Sequence, residues 1–228
     1  MEVRIDSLLS GAERATGSVV IIDVFRAFTT AAVVLARGAT KVIVVSDVEE
    51  ALALRSAGVG DLCMGEVRGR APPDFDFGNS PFEASQAHVD GLTIIQRTSA
   101  GTQGIVSARQ ATQLHAGALV TAKATVRAIR KHSPRQTTLV AMGNDGVTRA
   151  DEDELCAIHL RNLLEGRSSN ATAIREVILA GPRIADFHDP SKAHLHPEDL
   201  EIALDIDRYD FAVRISQEAG RLVARAEP

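Results

Sequence analysis

One plan recurs along the chain and restricts what it can fold into: a short β-branched apolar run, a polar loop, then a stretch suited to a helix. The first unit is Ser18-Val-Val-Ile-Ile-Asp23, a loop through Arg26 and Thr30, and a helix ending near Gly38. The strand Lys41–Val45 and a helix over Val48–Ala57 follow. The second unit is Leu92–Gln96, the loop Arg97–Thr102 and a helix from about Gln103. The third is Thr137–Met142, the loop Gly143–Thr148 and a helix opening at Asp151. Apolar runs of this length suit buried strands. Their alternation with helices predicts an α/β fold, layered α/β/α, with a largely parallel or mixed sheet. In such folds a site forms at the carboxyl ends of the strands, where all three polar loops lie. The expected organisation is one unit over residues 1–228, with room for two lobes.

Composition narrows the function classes. The chain has 228 residues, 45% of them hydrophobic, which is enough for a sizeable core. Its net charge of −5 comes without a basic stripe, and it has one Tyr and no Trp. Neither an electrostatic footprint nor a stacking platform for nucleic acid is therefore present. The start has no apolar signal-type segment, no apolar run reaches membrane length, and two cysteines are too few for a disulfide framework. A cytoplasmic protein with no nucleic-acid or membrane partner is expected.

The loops carry the chemistry. Thr98-Ser99-Ala100-Gly101-Thr102 joins a strand to a helix, with hydroxyls and a close-approach Gly, as a phosphate cradle would. The simpler reading makes Thr102 a helix cap. Asp23 ends an apolar strand, where a carboxylate can ligate Mg²⁺, and Arg26 can grip an oxyanion with its fork of donors. Alternatively, Asp23 caps the helix and pairs with Arg26. The stretch Met64–Pro81 reads as one long ordered loop, a common place for function. Within it, Glu66, Asp74 and Asp76 are either ligands for a hard cation or turn formers. Asn79-Ser80-Pro81 either opens a helix with Pro at its first position or directs Asn79 and Ser80 at an anion. Asp151-Glu152-Asp153-Glu154 suits a helix start, with Asp151 and Glu154 as a capping box, although four adjacent carboxylates would also be relieved by a cation. The Asp186–Asp199 stretch, with His188, His194 and His196, reads as surface loop. His159, Cys63 and Cys156 read as packed residues.

Taken in order, these motifs resemble the 2-phosphosulfolactate phosphatase family. They run Ile22-Asp23-Val-Phe-Arg26-Ala-Phe-Thr29-Thr30, Gly65-Glu66-x-x-Gly69 and Phe75-Asp76-x-Gly78-Asn79-Ser80-Pro81-x-Glu83. Then come Arg97-Thr98-Ser-Ala-Gly101-Thr102 and Gly143…Glu152-Asp153-x-x-Cys156-Ala157. The Phe-Asp-x-Gly-Asn-Ser-Pro segment is the most specific.

The resemblance implies Mg²⁺-dependent hydrolysis of 2-phospho-3-sulfolactate to sulfolactate and phosphate, a step of coenzyme M biosynthesis. It implies Asp23, Arg26 and Glu66 as catalytic residues. Asn79, Ser80, Arg97, Thr98, Ser99, Gly101 and Thr102 would hold substrate, and Asp23, Glu66, Asp76, Glu152 and Asp153 would be metal ligands. Arg68, Arg70 and Arg97 are candidates for the substrate's other anionic groups, and apolar surface on such a fold can support a homodimer. The chain departs from the family pattern at Ser99-Ala100, at Phe28 and at Ile158-His159. A phosphatase of the same fold acting on another small phospho-acid, or a non-catalytic anion-binding protein, are the competing expectations.

Overall fold

The computed structural model describes residues 1–228, and its elements follow the apolar patterning. The chain opens with β1 (Glu2–Ser7), α1 (Leu8–Arg14), β2 (Gly17–Ile22), α2 (Ala27–Ala36), β3 (Lys41–Val45) and α3 (Val48–Ser56). It continues through β4 (Leu62–Gly65), α4 (Pro81–Gln86), β5 (Thr93–Arg97), α5 (Gly101–Ser107), β6 (Ala111–Gly117) and α6 (Ala122–Lys131). It ends with β7 (Gln136–Ala141), α7 (Asp151–Leu164), α8 (Ala171–Leu179), short 3₁₀ turns over 182–192, α9 (Pro197–Ala203), β8 (Ala212–Glu218) and β9 (Arg221–Glu227).

All nine strands join one sheet in the order β1-β7-β2-β6-β8-β9-β3-β5-β4. Strands β1, β7, β2 and β6 are mutually parallel, as are β3, β5 and β4. Between the two groups lies the hairpin β8–β9, antiparallel to β6 on one side, to β3 on the other and within itself. Three antiparallel steps in succession reverse the sense, so the two parallel groups run in opposite directions. Ala219 and Gly220 close the hairpin with φ of 48° and 79°, the left-handed pair that a two-residue turn requires.

The pleat of β2 shows why its residues are apolar throughout. Val19 and Ile21 enter a core shared with α1, α2 and α5, while Val20 and Ile22 enter a second core against α6 and α7. A strand covered on both faces gains nothing from polar alternation. Each such residue contributes roughly 1.5–3 kcal/mol when fully buried. In the other group, Val42 and Val44 face the α2/α5 side, and Ile43 and Val45 join Ala51, Cys63 and Ile95 around α3. The result is the expected three-layered arrangement.

The α2 helix begins at Ala27, four residues before the apolar run that predicted it, and α5 begins at Gly101 rather than Gln103. The stretch 186–199, predicted as surface loop, holds 3₁₀ turns and the start of α9. Asp151 is not the cap of α7: Ala150 is, without a side-chain bond, and Glu154 instead accepts from Ser7 Oγ at 2.7 Å. Cys63, Cys156 and His159 are buried, and His159 Nδ1 lies 2.7 Å from Ser169 Oγ. No helix is long and apolar enough to cross a membrane.

Candidate active site

Strands β2 and β5 lie five steps apart in the sheet. Twist of about 20–25° per step accumulates between them, and the chain segments beyond their carboxyl ends meet. Asp23, one residue past β2, accepts from Ala27 N at 3.1 Å and from Gly101 N at 2.8 Å. One carboxylate thus binds the first amides of two helices, α2 and α5. Both helix starts favour negative charge through their unpaired N–H groups and dipoles.

Glu66 follows β4 and reaches the same loop. Its carboxylate accepts from Ser99 N, from Ser99 Oγ at 3.0 Å and from Gly69 N at 2.6 Å. The amides of Ser99 and Gly101, two residues apart, therefore hold Glu66 and Asp23 side by side. Burial raises Asp23 to a pKa of about 6; the amides of Ala27 and Gly101 pull it down, while repulsion from Glu66 and Glu152 pushes it up. Gly101 is required by close approach, because a Cβ there would stand 2.9 Å from Asp23 Oδ2 and 2.9 Å from Ala27 Cβ.

The third polar loop arrives through Asp153 on α7. Its carboxylate accepts from Val24 N at 2.7 Å and Gly143 N at 2.8 Å, tying the end of β2 to the end of β7. Burial, with repulsion from Asp23 and Glu152, raises Asp153 well above the usual carboxylate range. Glu152 is raised chiefly by burial, and Arg183 opposes the shift from 2.8 Å away.

These elements surround a pocket of about 380 Å³. Asp23, Glu66, Ala100, Gly143, Asn144 and Asp145 line it. Arg26, Arg68, Gly69, Arg70 and Asn79 also line it, with Arg183, Asp186, Phe187 and Lys192 from the 3₁₀ turns and His194 just after them. A larger groove of about 580 Å³ lies between α5 and strands β6 and β8, but no carboxylate lines it. The concentration of charge sets the smaller pocket apart as the candidate site.

The residues expected at the site divide. Asp23, Arg26, Glu66 and Asn79 line the pocket, and Ser99 and Gly101 fix its carboxylates. Arg26 is buried and partly committed: Nη1 donates to Asp199 at 3.1 Å and to His194 O at 2.9 Å, and Nη2 to Gly69 O at 3.4 Å. Arg26 does not pair with Asp23. Thr98 and Thr102 spend their hydroxyls on each other's amides, Thr102 N to Thr98 Oγ1 at 3.0 Å and Thr98 N to Thr102 Oγ1 at 2.8 Å. Both are buried and bonded within the loop, and the cap of α5 is Ala100, without a side-chain bond. Ser80 caps α4, accepting from Glu83 N at 3.1 Å and donating to Asp199. Arg97 turns away, giving its donors to Ser46 O at 3.1 Å and Glu66 O at 2.7 Å.

The five expected metal ligands are not gathered at one point. Asp76 lies outside the pocket, accepting from Cys63 N at 2.7 Å and Arg55 Nη1 at 2.8 Å. Glu152 faces a neighbouring cleft with Arg183. No three acidic, His or Cys side chains anywhere converge as a ready metal cage. Asp23 and Glu66 alone still suit Mg²⁺, which commonly takes one or two carboxylates and completes its shell with water and substrate oxygens. Their mutual repulsion is also what a cation would relieve.

Several site residues escaped the sequence. Lys192, His194 and the fully buried Asp199 come from the segment expected to be a surface loop, and Arg183 from just before it. The sequence signal was Asp199 at the third position of a helix opened by Pro197, a capping residue whose carboxylate also receives Arg26, Ser80 and Phe82 N.

A family model described as 2-phosphosulpholactate phosphatase matches residues 5–217. Curated relatives named "Probable 2-phosphosulfolactate phosphatase" include one from Thermoplasma volcanium, 31% identical over 84% of this chain and 85% of its own length. Another, from Thermus thermophilus, is 36% identical over 68% of this chain and 64% of its own. A third, from Parasynechococcus marenigrum, is 33% identical over 78% and 75%. The match spans every loop that builds the pocket, from Asp23 to Asp199, and the chain belongs to the 2-phosphosulpholactate phosphatase family.

Proposed function

We propose that the chain is a Mg²⁺-dependent phosphatase that hydrolyses 2-phospho-3-sulfolactate to 3-sulfolactate and inorganic phosphate. One observation carries this reading: two buried carboxylates, Asp23 and Glu66, are held side by side by amides of one loop inside a pocket otherwise rich in cations. Such a pairing serves an anionic substrate only if a cation joins them. A Mg²⁺ held by Asp23 and Glu66 would neutralise phosphoryl charge and activate a water for attack.

The chain's own groups do the rest. Arg26 has five N–H donors, and Asp199, His194 O and Gly69 O take three. The remaining two are free for a phosphoryl oxygen, and Asp199 holds the guanidinium still. The side-chain amide of Asn79 also lines the pocket and makes no hydrogen bond within the chain, so its Nδ2 can donate to the ligand. Donors fixed in place before the reaction stabilise developing charge without reorganising. Attack by water is favoured over attack by Asp23, because both Asp23 oxygens already accept amide hydrogen bonds that blunt their nucleophilicity.

The test is steady-state phosphate release from 2-phospho-3-sulfolactate. Turnover is expected with Mg²⁺, is expected to disappear with EDTA and to return when Mg²⁺ is restored. Turnover unaffected by EDTA would remove the metal from this reading.

A further inference from the structure

The proposed hydrolysis leaves one proton unassigned. Attack by water expels an alkoxide, and a side chain that protonates it as the bond breaks speeds that departure. The pocket offers few groups for the task. Asp23 and Glu66 are tied to amides, Lys192 and Asp186 hold each other, and Asp145 is exposed to solvent. The arginines do not give up protons. His194 is the one imidazole that lines the pocket.

Two contacts fix its position. The main-chain oxygen of His194 accepts from Arg26 Nη1 at 2.9 Å, so the residue is anchored to the guanidinium that would grip the phosphoryl group. Its ring reaches over Gly69, where a Cβ would stand 3.3 Å from His194 Nε2. Gly69 N in turn donates to Glu66 Oε2 at 2.6 Å. The imidazole is thus tied to both the phosphate-gripping arginine and the turn that holds Glu66. Nδ1 is buried without a partner. Nε2 makes no hydrogen bond within the chain and is the ring nitrogen left open to a ligand.

The surrounding charge suits a proton that arrives with the substrate. Burial lowers the pKa of His194, and Arg70, Arg26 at the start of α2, and Lys192 and His196 on its own segment lower it further. The nearby acids are already bonded: Asp199 to Arg26, Asp186 to Lys192, Glu83 to His196, and Glu66 to the amides of Gly69 and Ser99. An anion bound beside the ring reverses that field, because a close opposite charge favours the protonated form.

We propose that His194 is the general acid of the reaction, donating from Nε2 to the ester oxygen of the leaving group. The water oxygen bonds to phosphorus as the bond from phosphorus to the ester oxygen breaks. The electron pair of that bond stays on the ester oxygen, which takes the proton from Nε2. The attacking water loses one proton to solvent, and the ring regains one from solvent. The inference rests on the phosphatase reading and adds to it the group that meets the departing charge.

The experiment measures kcat with Mg²⁺ for 2-phospho-3-sulfolactate and for p-nitrophenyl phosphate, whose phenolate departs without a proton. It uses wild type, His194→Gln and His194→Ala, each checked by thermal melting. On the sulfolactate ester kcat should fall about 100- to 10,000-fold in both variants, the usual worth of a general acid. On p-nitrophenyl phosphate the loss should be a few-fold at most. In the wild type kcat for the sulfolactate ester should decline as pH rises past the pKa of the substrate-bound imidazole, and His194→Gln should lack that limb. Added imidazole should restore part of the rate of His194→Ala. If the wild type cleaves only the sulfolactate ester, the pH limb and the imidazole rescue decide. Equal losses on both esters, a near-wild-type kcat on the sulfolactate ester, or a basic limb retained in His194→Gln overturns the proposal and leaves the phosphatase reading standing. No phosphate release from either ester by the wild type sinks both.

Discussion

Asp199 is the residue on which the geometry of Arg26 depends. Both are buried, and Asp199 also accepts from Ser80 Oγ and Phe82 N. Removing one partner of a buried pair strands the other charge, at a cost of about 3–5 kcal/mol. Asp199→Ala should therefore lower the urea midpoint by that equivalent and lower activity as Arg26 loses its anchor. Arg26→Met, which leaves Asp199 its hydrogen bonds from Ser80 Oγ and Phe82 N, should cost less. Equal stability of Asp199→Ala and wild type would contradict the pairing. Asp23 and Glu66 stood out in the sequence because one ends an apolar strand and the other sits in a Gly-rich loop, places where a carboxylate can serve a cation as well as a cap or turn. Asp76 looked equally good and is a partner of Arg55 instead. Short motifs do not say which way a side chain turns. Thr98 and Thr102 illustrate the same limit, since hydroxyls that cap a loop internally read the same as hydroxyls that face a ligand.

At the scale of elements, the start of α5 is packed against Asp23, Ala27 and Phe28 with no room for a side chain at Gly101. Gly101→Ala should push α5 off Asp23, cost about 1–3 kcal/mol as overpacked cores do, and lower kcat far more than a surface alanine substitution would. A phosphate-release assay with thermal melts separates the two effects. Strand β6 offers a pH test. His115 is buried there, its Nε2 3.4 Å from Glu227 on β9 and its Nδ1 without a partner, with Arg214 and His132 nearby. Burial lowers its pKa, with Glu227 opposing. Below about pH 6.5 the unfolded chain binds this proton more readily than the folded one. Its contribution to stability should thus fall as pH drops through that value toward the folded pKa. The melting temperature of His115→Gln should show a shallower loss between pH 7.5 and 5.5 than wild type; identical slopes would dismiss the effect. The strand itself was missed from sequence because Ala-Thr-Gln-Leu-His-Ala-Gly is neither continuously apolar nor cleanly alternating. The three strand–loop–helix units were legible because β2, β5 and β7 are buried on both faces and had to be β-branched.

For the whole molecule, the β8–β9 hairpin is the seam between two parallel groups of opposite sense. That reversal is invisible locally, because it is decided by which distant strands the last residues pair with. Removing residues 220–228 should abolish a single cooperative urea transition, since β6 and β3 would each lose their link to the other group; an unchanged transition would show that the helices alone join them. The same arrangement brings the loops after β2, β4, β5 and β7 around one pocket, and the account stands on chemistry occurring there. The most direct measurement is kcat for 2-phospho-3-sulfolactate in Asp23→Asn beside wild type, with circular dichroism and melting to show that both are folded. A folded variant slowed by about 100-fold or more is expected, in line with losing a charge-stabilising group. A folded variant that turns over at the wild-type rate would place the reaction elsewhere.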